Sequence, residues 1–261
     1  MTNVLFMGRK RVAADTLTWL SQKHDVNVVG VITDDHLQVS PTYTAAKEQS
    51  LPVLSRESAE HLIDNGEMRV DLGVSVLYWQ KIRQPVLQRA TRGVINFHPA
   101  PLPEFKGTGG YNLAVLEGHS EWAVSAHYVD EHIDTGELID VDWFGIDQER
   151  ETAQSLEART QPILLAQIKR ITHAALRTEG KLDASPNIGG RYIARADMEA
   201  MKEVKDGDDV ERKIRAFWFP PYDGAFIHLG GVKCTLVHRP ILESLADPDV
   251  SNVFTAARKS S

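Results

Sequence analysis

Three polar residues, an amide, an imidazole and a carboxylate, are the strongest candidates for chemistry in this sequence. Asn96 and His98 lie two positions apart at the end of an apolar run, Gly93 to Phe97, and Asp134 precedes a Thr-Gly pair further along. Side chains two positions apart on a strand point to the same side. Open α/β sheets bind their ligands at the carboxyl ends of their strands. We therefore expect the three groups to meet at one point.

An amide, an imidazole and a carboxylate suit acyl transfer to an amine. The attacking nitrogen must lose a proton and the leaving nitrogen must gain one, which suits a histidine with an unperturbed pKa of about 6.5. A neighbouring carboxylate orients the ring and raises its pKa. An asparagine amide can donate to the oxyanion of the tetrahedral intermediate, and losing such a donor typically costs about 100- to 1000-fold in rate. No covalent enzyme intermediate is required.

The residues before position 98 predict the sheet that positions these groups. Short β-branched runs alternate with amphipathic stretches, which is typical of βαβ units around a parallel sheet. The predicted strands are Asn3 to Met7, Val26 to Thr33, Pro52 to Leu54, Asp71 to Leu77 and Gly93 to Phe97. The predicted helices are Arg11 to Lys23, Pro41 to Gln49, Arg56 to Asp64 with a Ser55 cap, and a short one from Pro85 to Arg89.

After position 98 the chain enters a loop rich in proline and glycine. Pro162 lies inside the longest helical pattern, and because proline fits a helix start or a kink better than an interior position, we expect an interruption there. Tyr192 begins a predicted loop, and a hairpin is predicted to turn at Gly230-Gly231. The predicted elements of this half are helices at Gly110 to Glu117, Thr152 to Ala175 and Asp208 to Phe217, strands at Val124 to Asp130 and Leu138 to Phe144, and the hairpin at Ala225 to His238.

Together these elements predict an α/β fold with a Rossmann-like, mostly parallel sheet and flanking helices. We expect one domain at residues 1–180 that carries the chemistry. A small C-terminal appendage, a helix and a β-hairpin at residues 181–261, is expected to follow it and to serve in acceptor recognition, in dimerisation, or in both.

The composition favours a soluble protein inside the cell. The chain has 261 residues, a net charge of -7 and no block of twenty apolar residues, so we expect no membrane span. Met1 to Leu5 lack the features of a signal peptide, and we expect a cytoplasmic protein. The acidic charge argues against non-specific nucleic-acid binding. The single Cys234 is expected to pack as a small hydrophobe, and the irregular spacing of His119 and His132 makes a poor zinc site, so no metal is expected.

The first turn of the chain, Gly8-Arg9-Lys10, does not match the known nucleotide-binding motifs. The second and third glycines of G-x-G-x-x-G are missing, and no G-K-[ST] occurs in the chain. A hydride-transfer enzyme and a phosphate-binding P-loop are therefore disfavoured. The basic run Arg9-Lys10-Arg11 instead predicts a solvated helix start.

The stretches NFHPAPLPEFKGTGG and VSAHYVDEHIDTGELI carry a resemblance to a known family. The N-x-H-P-x-x-L-P segment, the K-G after it and the D-T-G turn look like formyltransferases that use N10-formyltetrahydrofolate, over residues 1 to about 175. The resemblance implies that Asn96 stabilises the oxyanion, that His98 is the acid/base and that Asp134 tunes His98. Family members often have Ser and Leu where Ala100 and Pro101 stand, so we expect a differently shaped loop there.

The resemblance also implies a folate site between two loops. A pterin needs backbone donors and acceptors at its edge and apolar walls on its faces, which such loops provide. The implied cofactor-binding residues are Tyr78, Trp79, Gln80, Lys81 and Ile82 in the first loop and Asp130, Glu131, His132 and Ile133 in the second.

The C-terminal third separates the branches of this family by their acceptors. The segments RYIARADME and RAFWFPPYDGAFI are similar to the tails of enzymes that formylate amino groups on dTDP- or GDP-linked sugars. We therefore expect a nucleotide-linked amino sugar as the acceptor and a homodimer as the assembly. The candidate stacking residues are Tyr192, Phe217, Trp218 and Tyr222. The candidate pyrophosphate residues are Lys106, Arg195 and Arg215. Further candidate acceptor contacts are Thr108, Tyr111 and His127.

Other acceptors and other roles stay open at this point. A small free amine such as hydroxyornithine would leave the catalytic residues unchanged, whereas glycinamide ribonucleotide and methionyl-tRNA fit the length and charge of the tail less well. A folate or nucleotide-sugar binder without activity is a further alternative, and the joint presence of all three catalytic groups argues against it. The aromatic cluster around Trp218 is also typical of a core contact.

Overall fold

The computed structural model describes residues 1–34 and 40–245, and it contains one six-stranded sheet flanked by helices. The order of strands in that sheet is β2-β1-β3-β4-β6-β7, with the first four parallel and the last two antiparallel. Its strands are β1 Thr2–Gly8, β2 Val26–Ile32, β3 Leu72–Val76, β4 Val94–His98, β6 Glu121–Tyr128 and β7 Leu138–Gly145. The Rossmann-like, mostly parallel sheet predicted from the sequence is confirmed.

The remaining strands are short and lie in two small sheets. The parallel pair joins β5 Phe105–Gly107 to β8 Arg191–Ile193, and the antiparallel pair joins β9 Phe226–Leu229 to β10 Val232–Thr235. The helices of the described residues are α1 Lys10–Ser21, α2 Pro41–Glu48, α3 Arg56–Asp64, α4 Val86–Arg89, α5 Gly110–Leu116, α6 Ala153–Arg177, α7 Arg195–Ala200, α8 Val210–Phe217 and α9 Arg239–Ser244.

The central strands are buried on both faces because successive side chains point to opposite layers of helices. Val4 of β1 packs with Leu17 of α1 and Leu164 of α6 on one face. Leu5, the next residue, packs on the other face with Ile63 of α3. These two layers hold the carboxyl ends of β3 and β4 in place, where the candidate catalytic groups begin.

The C-terminal residues pack against the loop and helix that follow β4. The pairing of β8 with β5 places Tyr192 opposite Lys106. Helix α8 packs on α5, and Phe217, Leu113 and Trp122 share a buried cluster there. The tail therefore lies next to the segment that leads away from His98.

The predicted hairpin and the predicted cap of α3 are both present. Leu229 lies opposite Val232 across Gly230-Gly231, and the Ser55 hydroxyl accepts the Ser58 amide hydrogen at the start of α3. Cys234 is half-buried on β10. No helix of the described residues is long and apolar enough to cross a membrane.

Three predictions about local structure are wrong. The segment Pro52 to Leu54 is not a strand and pairs with β2 only through the isolated bridge between Val53 and Val31. Helix α6 continues through Pro162. Proline has no amide hydrogen, but buried residues before and after it, such as Leu156, Leu164 and Ile168, pack in the core and stabilise the helix. Tyr192 lies in strand β8 rather than at the start of a loop. A three-residue strand whose partner lies far away along the chain leaves no periodic pattern to detect.

Candidate active site

A row of three polar side chains crosses the middle of the sheet. Ser75 of β3 is the register partner of Asn96 of β4, and Asn96 is the register partner of His127 of β6. Register partners on neighbouring strands carry their side chains on the same face, so the three groups meet. The Ser75 hydroxyl donates to Asn96 Oδ1 at 2.7 Å, and Asn96 Nδ2 donates to His127 Nε2 at 3.0 Å.

His98 and Asp134 lie beside this row. His98 Nδ1 is 3.6 Å from Asp134 Oδ2, and His127 Nε2 is 3.5 Å from Asp134 Oδ1. His98 Nε2 donates to the carbonyl oxygen of Phe105 at 2.9 Å. This bond fixes the tautomer, since it leaves Nδ1 as the basic nitrogen, and Nδ1 faces Asp134. The expected meeting of Asn96, His98 and Asp134 is present in the structure.

Burial and charge set opposite protonation states for His98 and Asp134. Burial lowers the pKa of His98, and the Asp134 carboxylate offsets this only in part. Burial raises the pKa of Asp134, but His98, His127 and the Gly107 amide together lower it by more, so this pKa lies well below its usual range. The carboxylate raises the His98 pKa as expected, but desolvation outweighs it, so the pKa lies below its ordinary value. A neutral imidazole faces an ionised carboxylate.

The turn that carries Asp134 is held from several sides. Asp134 has φ of 56°, a left-handed conformation that is uncommon outside glycine. Its carboxylate accepts the Gly107 amide hydrogen at 2.9 Å, and Asn187 Nδ2 donates to the carbonyl oxygens of Asp134 and Gly136. A Cβ on Gly136 would lie 1.9 Å from the Tyr128 carbonyl oxygen, which explains the glycine of the D-T-G motif.

A cavity of about 530 Å³ opens onto these groups. Asn96, His98 and Asp134 all line it. Two further lining residues, Lys10 and Leu77, have positive φ angles like Asp134. Strained backbone conformations outside glycine cluster at functional sites, and three of the four in the described residues border this one cavity.

The residues expected to bind folate are divided by the structure. Tyr78, Trp79 and Ile133 line the cavity. Asp130 accepts the His132 amide hydrogen and the Thr135 hydroxyl, so it shapes the second loop. Among the others, Ile82 is buried in the core below the first loop, and Gln80, Lys81, Glu131 and His132 are exposed.

The residues expected to contact the acceptor are also divided. Thr108, Tyr111, Tyr192, Arg195, Phe217 and Tyr222 line the cavity. Lys106 instead donates to the carbonyl oxygen of Gly189, and Arg215 donates to the carbonyl oxygens of Gln148 and Glu151. Trp218 packs against the cluster that contains Phe217, which agrees with the alternative that this aromatic group forms a core contact. His127 lies in the polar row.

Sequence reasoning missed several groups at this site. Arg9 and Lys10 form the expected helix start, with Arg9 as the N-cap and Lys10 as the first residue of α1, and they also line the cavity, which the sequence did not predict. Lys10 Nζ pairs with Glu157 Oε1 at 2.6 Å, and Glu157 also lines it. Ser75 was not predicted, because it lies within the apolar run Asp71 to Leu77. A single hydroxyl in a strand predicted to be buried was the feature that could have indicated it. No set of three or more histidine, cysteine or acidic side chains in the described residues is arranged to hold a metal ion.

The fold and the site define an α/β protein with an amide, an imidazole and a carboxylate at the carboxyl edge of a mostly parallel sheet. The Formyl transferase family model matches residues 2–164. The chain belongs to this family.

Known proteins similar in sequence to this chain include methionyl-tRNA formyltransferases. A methionyl-tRNA formyltransferase of Listeria monocytogenes is 31% identical over 150 residues, which cover 53% of this chain and 47% of that protein. The chain thus spans about half the length of the first curated relatives that it matches.

The similar solved structures include sugar enzymes. The N-formyltransferase of Helicobacter canadensis, crystallised with folinic acid and dTDP-3-aminofucose, has a TM-score of 0.71 at 21% identity and covers 89% of this chain and 86% of that one. A 4-N formyltransferase of Francisella tularensis has a TM-score of 0.76 at 18% identity and covers 91% of this chain and 97% of that one. At these identities the likeness shows the fold.

Proposed function

We propose that this protein transfers the formyl group of N10-formyltetrahydrofolate to the amine of a nucleotide-linked amino sugar. The observation that carries this proposal is the convergence of Asn96, His98 and Asp134 on a cavity that is also lined by the C-terminal residues Tyr192 and Arg195. Membership of the Formyl transferase family supports the reaction. The shape shared with an enzyme crystallised with folinic acid and dTDP-3-aminofucose supports both substrates.

The reaction divides among the three groups as follows. The acceptor nitrogen attacks the formyl carbon, and the carbonyl oxygen becomes an oxyanion that Asn96 Nδ2 stabilises with a hydrogen bond. His98 Nδ1 takes the proton that the nitrogen loses, and Asp134 stabilises the imidazolium that results. When the bond to N10 breaks, that proton passes to N10, so the products are the formylated amine and tetrahydrofolate.

The formyl donor is proposed to bind next to the loop after β3. Tyr78 and Trp79 border the cavity there, and the Arg9 guanidinium lies 5.6 Å from the centre of the Trp79 ring. Ile133 of the second loop contributes an apolar side chain that is 48% exposed. These groups provide apolar faces for a pterin, and the exposed backbone of both loops provides its edge contacts.

The acceptor is proposed to bind where the C-terminal residues border the cavity. Tyr192 and Tyr222 are 53% and 62% exposed, which suits stacking of their rings on a base. Arg195 is exposed, and its guanidinium makes no hydrogen bond or ion pair with another described residue, so it is available to a diphosphate. We extend this to the chain as a whole: residues 1–180 carry the chemistry, and residues 181–261 serve in acceptor recognition and in a homodimer. A gel-filtration mass near the monomer value of 29.1 kDa would contradict the dimer.

The test is a screen of acceptors with N10-formyltetrahydrofolate, followed by release of tetrahydrofolate. The panel contains dTDP-, GDP- and UDP-linked amino sugars, hydroxyornithine, glycinamide ribonucleotide and methionyl-tRNA. Turnover with a nucleotide-linked sugar supports the proposal, and turnover with a free amine alone rejects the acceptor. No turnover in the parent, together with folate binding, favours a binding protein without activity.

Methionyl-tRNA is the second candidate because similar proteins, such as that of Listeria monocytogenes, are methionyl-tRNA formyltransferases. Against it stands the net charge of -7, since tRNA binding depends on neutralising phosphates with basic residues. The same screen separates the two acceptors.

A further inference from the structure

Ser75 is an unexpected residue for its position. It is 2% exposed and lies between the buried residues Val74 and Val76 in a strand covered on both faces. A buried hydroxyl costs free energy unless it is hydrogen-bonded. The hydroxyl donates to Asn96 Oδ1 at 2.7 Å, so its hydrogen is bound to the candidate oxyanion-stabilising residue.

His127 holds the other end of the same amide. His127 Nδ1 donates to the carbonyl oxygen of Tyr128 at 2.7 Å, so in the neutral ring Nε2 carries a lone pair and accepts. The same nitrogen is 3.5 Å from Asp134 Oδ1, which is beyond the 3.0 Å that separates it from Asn96 Nδ2. Asn96 Nδ2 donates to that lone pair at 3.0 Å. Ser75 and His127 thus agree on one orientation of the amide, with the oxygen towards β3 and the nitrogen towards β6.

This orientation decides what Asn96 offers to a substrate. The amide nitrogen has two hydrogens; one is bonded to His127, and the other remains for an oxyanion in the cavity. If the amide turned over, its oxygen would replace the nitrogen, and lone pairs rather than an N–H would face the developing oxyanion. The lone pair of His127 Nε2 opposes this turnover because it would face the amide oxygen. The Ser75 hydroxyl could accept from the turned amide nitrogen, but its own hydrogen would then lose Asn96 Oδ1 as its acceptor.

We propose that Ser75 is a positioning residue that fixes the amide of Asn96 so that its second N–H points at the formyl oxygen in the transition state. This inference rests on the proposed formyl transfer, because the oxyanion belongs to that reaction. Ser75 acts through Asn96 and touches no substrate atom. A merely structural serine would affect folding and leave turnover per folded molecule unchanged.

The main test is Ser75→Ala, measured at saturating donor and acceptor. A misplaced catalytic group costs up to about 100-fold in rate, so kcat is expected to fall roughly 10- to 100-fold, with KM for both substrates nearly unchanged. Thr16→Val is the matched control. Thr16 is fully buried and donates to the carbonyl oxygen of Val12 inside α1, so this variant loses a buried hydroxyl away from the cavity and should keep the parent kcat.

A double-mutant cycle separates positioning from general damage. In an Asn96→Ala background, Ser75→Ala should change kcat by less than about two-fold, since sites that act as a unit are not additive. A parental kcat in Ser75→Ala, or a full additive loss in the double variant, would overturn the inference. If Ser75→Ala does not fold, Ser75→Cys replaces the hydroxyl with a weaker donor at the same position. Its kcat should lie between that of Asn96→Ala and that of the parent. A parental kcat in Ser75→Cys would contradict the positioning role of Ser75.

A readout without turnover keeps this test distinct from that of the proposed function. The side-chain amide of Asn96 is observed by NMR in asparagine-labelled protein, and its signals are assigned by their loss in Asn96→Ala. Ser75→Ala should shift both hydrogens of that amide, whereas Thr16→Val should not. If the parent shows no formyl transfer but the signals shift, the proposed function fails, whereas the positioning of the Asn96 amide by Ser75 is supported. Unchanged signals would reject this positioning whatever the activity.

Discussion

Replacing Asp134 with Asn removes one charge from the site and little else. The carboxylate is 9% exposed, its Oδ2 is 3.6 Å from His98 Nδ1, and it accepts the Gly107 amide hydrogen. An asparagine has the same shape, tolerates the left-handed backbone at φ of 56°, and can still accept from Gly107 through its amide oxygen. The change therefore isolates the electrostatic contribution of the carboxylate to the charged form of His98.

The size of the loss follows from this distance. Two unit charges about 4 Å apart attract by about 4 kcal/mol at an effective dielectric constant of about 20. If this attraction stabilises the imidazolium in the transition state, its removal lowers kcat by about 1000-fold, at about 1.4 kcal/mol for each factor of ten. The two histidines and the Gly107 amide hydrogen lower the pKa of Asp134 despite its burial, so the ionised carboxylate also stabilises the fold above the ordinary pKa of an aspartate. The stability loss should be modest, because the hydrogen bond from Gly107 is retained.

The assay is tetrahydrofolate release at saturating substrates, together with thermal unfolding and the pH profile of kcat/KM. Because Asp134 raises the His98 pKa against the effect of burial, the acid limb should move to lower pH in Asp134→Asn. Glu137→Gln, which removes an exposed carboxylate just after the turn, is the matched control and should behave like the parent. A kcat within about three-fold of the parent in folded Asp134→Asn would refute the role of the carboxylate.

Three further outcomes are expected. First, the His98 pKa lies below the ordinary 6.5 because of burial, so the neutral imidazole stabilises the fold above pH 6.5; stability should fall as the pH drops through this value, and urea unfolding of His98→Gln should lack that slope. Second, Arg195→Ala should raise KM for the nucleotide sugar about ten-fold and leave KM for the formyl donor unchanged. The control Arg11→Ala, at a side chain that is 83% exposed, should change neither KM. The same KM for the nucleotide sugar in both variants would show that Arg195 does not bind the acceptor. Third, Gly107→Ala should lower Tm by several degrees, because the added Cβ would lie 2.4 Å from the Ile193 carbonyl oxygen and the residue has φ of 87°. An unchanged Tm by calorimetry would contradict this prediction, since it would mean that β5 and β8 can move apart without loss of stability.

Local patterns in the sequence were enough to predict most of the main sheet and its helices. Val26–Ile32 and Leu72–Val76 are strands where continuous apolar runs predicted them, because a strand buried on both faces needs such a run. The chemistry was also readable, since Asn96 and His98 end a predicted strand, where α/β sheets place ligands. The predictions were wrong where local structure depends on contacts between residues far apart in the chain. Examples are the continuous helix through Pro162 and the strand at Tyr192.

The sequence by itself determined which groups are present and which of them share a strand, because side-chain alternation and helical periodicity act over a few residues. The tertiary structure decided which strands are neighbours and in what register. That register places Ser75, Asn96 and His127 in one row, and the packing of the Asp134 turn sets its 3.6 Å distance from His98. Both depend on pairings between residues far apart in the chain, and their geometry is set by the summed packing of the core rather than by any local pattern.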